Sequence, residues 1–337
     1  MKRWHFWVGL LISVIFLFIA LRGLQITDVW EGIKTANFIW LIPAIAIYFI
    51  AVWVRAFRWY LFLRPIKEVP IYEVFPIVTI GYMGNNIYPA RAGEILRAIV
   101  LKHKFNIPVS GSLATIIIER IIDGVIMLGF IILNLSNITT LPGAIEFTKT
   151  IHTVTLWGSI IFISALFIFL LAAIFPGKTQ NILFLMIGKT IPKNWRGNAQ
   201  SISQKFIEGL RSLSSPMNVI KIFLVSIIIW LLETGFYWFT MRAFPFKVSF
   251  STLMLMNGVL NLFTVIPSTP GYIGTFDAPG IAMLTAFGIN SEISASYILL
   301  LHAALWLPVT FVGGLFFGKA GLDWGKEINQ ANMDRES

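Results

Sequence analysis

Three clusters of charge interrupt otherwise apolar sequence, and each has a spacing suited to binding or buffering charge. The first is Arg55-x-x-Arg58-Trp59, whose two arginines fall on one face of a helix. Arg55 lies about one turn deeper in its apolar run and needs a buried partner, whereas Arg58 can also reach an interface by snorkelling. The second cluster runs Asn85-Asn86-Ile87-Tyr88-Pro89-Ala90-Arg91-Ala92-Gly93-Glu94, with Arg97 one turn on. Pro89 ends one helix, Gly93 permits close backbone approach, and Glu94 and Arg97 open the next helix. Free backbone N–H groups at that helix start, beside Arg91 and Arg97, suit a phosphate. A loop at the membrane interface whose arginines only follow the charge rule would contain the same residues. The third cluster is Glu119-Arg120-x-x-Asp123, with both carboxylates on one face. They repel one another unless arginines from elsewhere, Arg55 or Arg91, come between them. An ion network that only holds helices together is the competing account.

Glu233 and Asp277 are lone acids further on, and either can complete the network or carry a coupling proton. The stretch Pro267-Ser268-Thr269-Pro270-Gly271-Tyr272-Ile273-Gly274 offers hydroxyls and open backbone but no cation. A charged headgroup is therefore expected against Arg55, Arg58, Asn85, Asn86, Arg91, Glu94 and Arg97. Behind it an intramembrane charge network of Glu119, Arg120, Asp123, Glu233 and Asp277 is expected. Pro89, Gly93, Pro267, Pro270, Gly271 and Gly274 mark the breaks that would act as gates. His302, alone on an apolar face, reads as a satisfied core histidine. The absence of cysteine excludes thiol catalysis and Cys-ligated metals, and the four histidines are too scattered for metal-ligand spacing. Neither a catalytic residue, a metal nor another cofactor is expected.

The elements that must position these groups are membrane spans. Of 337 residues 57% are hydrophobic and 12% charged, about half the charged share of a soluble domain. Full spans are expected near 5–21, 39–63, 112–135, 154–175, 218–241 and 293–318. The first follows Lys2 and Arg3 but has no cleavage site after it, so it reads as a retained span. Val69–Ala92 and Phe250–Gly288 are apolar but broken by Pro and Gly. Opened backbone at membrane depth is tolerated only inside protein or beside water. Re-entrant hairpins fit best, with tilted pairs of interrupted spans as the alternative. The fold class is thus an all-α integral membrane protein of about six full transmembrane helices plus two re-entrant hairpins.

Net charge is +10, and most of the basic residues, from Arg64 and Lys67 to Lys319 and Lys326, fall on one set of loops. Arg22, Lys34, Lys149, Arg242 and Lys247 fall on the other. This asymmetry places both termini in the cytoplasm and points to anionic lipid rather than nucleic acid. Residues 176–217, with Ile182, Leu185, Phe206 and Leu210 among basic residues, read as an amphipathic linker on the cytoplasmic leaflet. The tail from Asp323 is expected to be exposed or disordered. Gly314 and Gly318 suggest a small-residue packing seam.

Shifted by about 178 residues, the two broken segments superimpose: Ile87-Tyr88-Pro89 meets Val265-Ile266-Pro267, and Gly93 meets Gly271. Arg55 then stands opposite Glu233. Repeat A covers about 5–135 and repeat B about 154–318. Each half has an odd number of crossings, so the second is inverted, an arrangement used by transporters.

At these motifs the chain resembles the lysylphosphatidylglycerol synthase transmembrane (flippase-like) family. The likeness spans about residues 5–320 and rests on Arg55-x-x-Arg58-Trp59, Gly84-Asn85-x-x-x-x-Pro89-x-Arg91-x-Gly93-Glu94-x-x-Arg97, Glu119-Arg120-x-x-Asp123 and Pro267-x-x-Pro270-Gly271-x-x-Gly274. In bifunctional members this region is associated with flipping aminoacylated phosphatidylglycerol, and a separate C-terminal domain transfers the aminoacyl group. The resemblance implies a stand-alone member without lysyltransferase activity. Some stand-alone members are linked to polyprenyl-phosphate, glycolipid or hopanoid pathways. The expected function is lipid flipping in the cytoplasmic (inner) membrane, on a phospholipid or a lipid-linked substrate. A membrane enzyme, or a subunit partnering a lipid-modifying enzyme or its own copies, is the alternative.

Overall fold

A chain this apolar must satisfy its backbone internally once water is excluded, and helices do so within one segment. The computed structural model describes residues 22–88, 91–134, 145–265 and 269–336, with Leu11, Ile15 and Phe18 before them. Among the described residues the chain is helical, with no strand. The helices are α1 (Ile26–Lys34), α2 (Leu41–Leu63), α3 (Ile71–Ile87), α4 (Ala92–Phe105), α5 (Val109–Asn134) and α6 (Ile145–Ile174). They continue as α7 (Pro176–Thr190), α8 (Lys193–Gly209), α9 (Pro216–Met241), α10 (Phe250–Phe263), α11 (Asp277–Ala286) and α12 (Ser291–Glu336). Most of the expected span 5–21 lies outside the described residues, as do Pro89 and Pro267.

Among the described residues four helical stretches are long and apolar enough to cross a membrane: Phe38–Leu63, Ile151–Ile174, Pro216–Met241 and Ser291–Gly321. They coincide with the expected spans at 39–63, 154–175, 218–241 and 293–318. The expected span at 112–135 is α5, with 26 residues. That length of about 39 Å exceeds a bilayer core of about 30 Å, but Glu119, Arg120 and Asp123 sit inside it. Helix α12 continues through the expected tail to Glu336. Its residues after Lys319 contain few helix breakers, so nothing stops the helix where the apolar stretch ends.

The first broken segment is a helical hairpin, and it runs past the expected Ala92 to Phe105. At about 25 and 21 Å, α3 and α4 are each too short to cross, and they pack antiparallel along their length. A Cβ on Gly84 would lie 2.6 Å from Gly93 Cα, and one on Gly93 would run into the Gly81 carbonyl and the Asn85 amide. Main chain therefore touches main chain at the tip, which only glycine permits. At the open end Lys104 pairs with Glu73, so the chain leaves where it entered. In the second broken segment α11 packs against both α10 and α12, with Gly280 on Ile298.

Helices α2 and α9 form the central pair, where Arg55 meets Glu233, the residue 178 positions further on. Contacts repeat under that shift. The pair Arg58–Ser226 becomes Phe236–Tyr48, and both are in contact. The packing of α3 on α12 becomes that of α10 on α5, and both are extensive. Small residues line these seams: Gly313 rests on the Thr79 carbonyl, and Gly258 lies 2.8 Å from the Met127 carbonyl by its would-be Cβ. The α12 seam is thus Gly313 rather than the expected Gly314 and Gly318, since a Cβ on Gly318 would meet nothing.

The 176–217 linker is two helices, α7 and α8. Ile182 and Leu185 are exposed, whereas Leu210 is buried and Phe206 packs on Phe169. Gly209 brings the end of α8 onto the Gly111 carbonyl of α5. The sequence offered no sign of α1, which packs along α12 through Ser296, whose hydroxyl donates to the Val29 carbonyl at 2.9 Å.

Candidate functional site

The charged residues of the sequence motifs separate into two sets. One set is a closed network between α2, α4, α5 and α9. Arg58 is wholly buried. Its Nη1 donates to Asp123 Oδ1 at 2.5 Å and to Ser226 Oγ at 2.8 Å, and its Nη2 reaches Asp123 Oδ2 at 3.2 Å and Glu119 Oε1 at 3.0 Å. Arg97 Nη2 donates to Glu119 Oε2 at 3.1 Å, with its guanidinium stacked 4.7 Å over Trp59. Trp230 Nε1 adds a bond to Asp123 Oδ1 at 2.8 Å. Every oxygen of both carboxylates is engaged. The arginines that bridge Glu119 and Asp123 are therefore Arg58 and the neighbouring Arg120, whose Nη2 lies 2.6 Å from Glu119 Oε1 and 3.4 Å from Asp123 Oδ2, not the expected Arg55 or Arg91. Helix register decides this: Arg58 is one turn on from Arg55 and faces α5, while Arg55 faces α9.

The second set lines a cavity of about 420 Å³ enclosed by α2, α3, α5, α9, α12 and both breaks. Arg55, Asn85, Asn86, Arg91, Glu94, Arg120, Asp123 and Glu233 all reach its wall, whereas Arg58 and Arg97 do not. Arg55 pairs with Glu233 through Nη2, stands 5.2 Å from the Trp230 ring centre, and leaves Nη1 without a hydrogen-bond partner although it is buried. Leaving such a donor unpaired in a buried setting costs about 1–3 kcal/mol or more, so a ligand group placed there is favoured. Asn85 Oδ1 likewise lacks a hydrogen bond, and Glu94 Oε1 has only loose ion pairs, to Arg120 at 3.5 Å and Arg91 at 3.8 Å. Arg120 bridges the two sets, touching Glu119 Oε1 at 2.6 Å on one side and approaching Glu94 Oε1 at 3.5 Å on the other.

The two breaks meet across this cavity. Arg91 holds a left-handed φ of 52°, which turns its side chain toward the second break. There its Nη2 donates to the Thr264 carbonyl at 3.1 Å, and its guanidinium lies 5.6 Å from the Tyr272 ring centre. Gly271, at φ 74°, brings its backbone to the Trp306 indole, whose Nε1 donates to the Asn86 carbonyl at 3.3 Å. Of the remaining break residues, Pro270 and Gly271 form a short 3-10 turn and Gly274 takes φ 82°. Asp277 does not join the arginine network. It caps the turn before α11 by accepting from the Gly274 amide at 2.8 Å, and it pairs with His302 at 2.7 Å.

His302 is the wall residue that sequence reasoning passed over. It is satisfied as expected, with both ring nitrogens bonded, but it also lines the cavity and supplies a polar partner to the second break. No periodic signal marks it. Only its position one turn before Trp306, on the face that meets both breaks, could have drawn attention.

Comparison with known proteins agrees with this architecture. The model of the lysylphosphatidylglycerol synthase TM region matches residues 6–313. A UPF0104 membrane protein of Methanothermobacter thermautotrophicus is 23% identical over 327 residues, covering 94% of this chain and 93% of that one. A UPF0104 membrane protein of Pyrococcus horikoshii is 25% identical over 318 residues, covering 85% and 90%. The glycosyltransferase AglD of Haloferax volcanii is 22% identical over 301 residues, which is 82% of this chain but 48% of that protein. No solved structure matches. The chain belongs to the lysylphosphatidylglycerol synthase TM-region family, as its motifs implied.

Proposed function

We propose that this member of the family moves a lipid with a phosphate-bearing headgroup between the leaflets of the cytoplasmic membrane, with both termini on the cytoplasmic side. The observation that carries the reading is the under-bonded wall of the cavity: Arg55 presents a buried, unpartnered Nη1, and Arg91 stands beside it partly exposed. A phosphodiester accepts from guanidinium donors in this manner, and charge-assisted bonds of that kind are among the strongest available. The breaks support the same reading. Backbone opened at membrane depth and turned toward a polar hollow is a device for passing polar groups. The reciprocal contacts under the 178-residue shift favour two inverted halves that exchange accessibility across the α2–α9 axis. The helices α7 and α8, bearing Lys178, Lys189, Lys193 and Arg196, would lie along the anionic cytoplasmic surface.

The test is reconstitution of the full chain in vesicles with fluorescent phosphatidylglycerol, scoring the fraction accessible to an external quencher over time. Lipid movement above protein-free vesicles, lost in Arg91→Ala, is expected. Equal rates for the wild type and Arg91→Ala would sink the assignment of the site. One observation favours a second reading, an enzyme acting on lipid-linked substrates: Glu94 lines the cavity with its Oε1 free of hydrogen bonds, a carboxylate suited to act as an acid or base. The relative named as a glycosyltransferase keeps this reading in view. Product formed by the pure protein, abolished in Glu94→Gln, would favour it.

A further inference from the structure

The imidazole of His302 lies between two oxygens. Its Nδ1 is 2.7 Å from Asp277 Oδ1 and its Nε2 is 2.7 Å from the Gly271 carbonyl oxygen. Asp277 Oδ2 accepts from the Gly274 amide. A carbonyl and a carboxylate accept hydrogen bonds, whereas a neutral imidazole donates from one nitrogen only. A neutral ring would set its remaining lone pair against an oxygen. The doubly protonated ring satisfies both contacts.

The surrounding charge gives that proton a consequence. Five arginines, Arg55, Arg58, Arg91, Arg97 and Arg120, face four acids, Glu94, Glu119, Asp123 and Glu233, while Asp277 stands apart against His302. Tyr48, Tyr82 and Tyr272 also face the cavity but carry no charge near neutral pH. Protonated His302 offsets Asp277 and so leaves the arginines one positive charge in excess of the acids they face. A monoanionic phosphodiester in the cavity would restore neutrality.

Geometry also links this histidine to both breaks. His302, Trp306 and Thr310 are spaced i, i+4 and i+8 on α12 and share a face. His302 holds the Gly271 carbonyl of the second break. Trp306 donates to the Asn86 carbonyl at the end of α3, and Thr310 Oγ1 accepts from Asn86 Nδ2 at 2.7 Å. Loss of the proton would turn the Nε2 lone pair onto the Gly271 oxygen and release a turn that already contains Gly271 and Gly274 at positive φ.

We propose that His302 is a proton-binding site coupled to the headgroup cavity: its imidazolium clasps the second break, and its proton moves together with a monoanionic phosphodiester headgroup, one for one. The coupling rests on the lipid-moving reading above, whereas the proton site does not. Vesicles holding the full chain, fluorescent phosphatidylglycerol and a trapped pH dye test the coupling. An imposed pH gradient should shift the leaflet ratio of the probe about tenfold per pH unit, the equivalence of one proton and one lipid. His302→Gln should let the probe equilibrate without responding to the gradient. Lipid movement in the wild type that ignores the gradient overturns the coupling and leaves the transport reading standing. No lipid movement at all overturns both. The proton site is decided separately by nitrogen NMR on histidine-labelled full chain in which His5, His103 and His152 are replaced by glutamine. Two protonated ring nitrogens at neutral pH support it, and a lone-pair nitrogen signal overturns it.

Discussion

Two sets of buried charge share the centre of this molecule and differ in how far their bonding capacity is used. Around Arg58 all four oxygens of Glu119 and Asp123 are taken, although Nε of Arg58 and of Arg97 stays unpaired. Around Arg55 the cavity wall keeps an idle guanidinium nitrogen, an idle amide oxygen and a carboxylate oxygen held only by loose ion pairs. The same residue types thus do opposite work. A network closed on itself fixes the positions of α2, α4, α5 and α9, and an open wall a turn away is left for something else to complete. Sequence motifs group Arg55 with Arg58, and Arg91 with Arg97. The structure cuts across both groupings.

The comparison can be broken at its closed side first. Arg58→Ala removes the wholly buried guanidinium that joins both carboxylates, leaving Asp123 to Trp230 and the looser Arg120 contact, and removing one partner of a buried pair costs about 3–5 kcal/mol. The expected outcome is loss of folded protein in detergent, read by thermal unfolding; a melting temperature equal to the wild type would mean that the network does not hold the helices. Next comes the hairpin that carries both Arg91 and Arg97. Gly93→Ala drives a methyl into the Gly81 carbonyl, and overpacking of this kind costs about 1–3 kcal/mol. Lower stability should accompany lower lipid movement there, because both charge sets depend on the α3–α4 approach.

The open side should respond in the opposite sense. Arg91 is already partly exposed, so Arg91→Ala should change unfolding by under about 1 kcal/mol. Lipid movement should fall about tenfold to a hundredfold, the equivalent of one charged hydrogen bond of about 1.5–3 kcal/mol. A stability loss matching that of Arg58→Ala would erase the distinction between the two sets. The smallest effect belongs to the pair at the hairpin's open end. Glu73→Gln breaks a half-exposed bridge to Lys104, worth about 0.2–1 kcal/mol, and should leave lipid movement unchanged.

Much of this architecture was legible in the sequence because membrane helices announce themselves by length and breaks by Pro and Gly. The pairing of Arg55 with Glu233 followed from aligning the two halves, since residues near an axis of duplication meet their own counterparts. What the sequence hid was set by rotation of one helix against another. Whether Arg55 or Arg58 faces α5 depends on a 100° step per residue that apolar neighbours on every side do not reveal. For His302 the reason is different: its partners, Asp277 and a backbone carbonyl, lie 25 and 31 residues away across a connection, and one histidine has no spacing to read. Gly313 was masked by two neighbouring glycines that look equally suited to a seam. The α1 helix is short and precedes no break, so nothing singled it out.

The glycine contact at the tip of the first hairpin has a mechanical consequence. With main chain resting on main chain at Gly81, Gly84 and Gly93, no layer of side chains lies between the arms to repack into another arrangement. That hairpin is a stiff part. The alternation of access proposed above must be absorbed by the second break, where turns replace helix at Thr264–Val265 and Pro270–Phe276 and one histidine supplies the latch. The natural chain has no cysteine, so a pair of engineered thiols can be read without interference. A crosslink between α3 and α4 should be harmless, and one tying α11 to α12 should arrest the cycle.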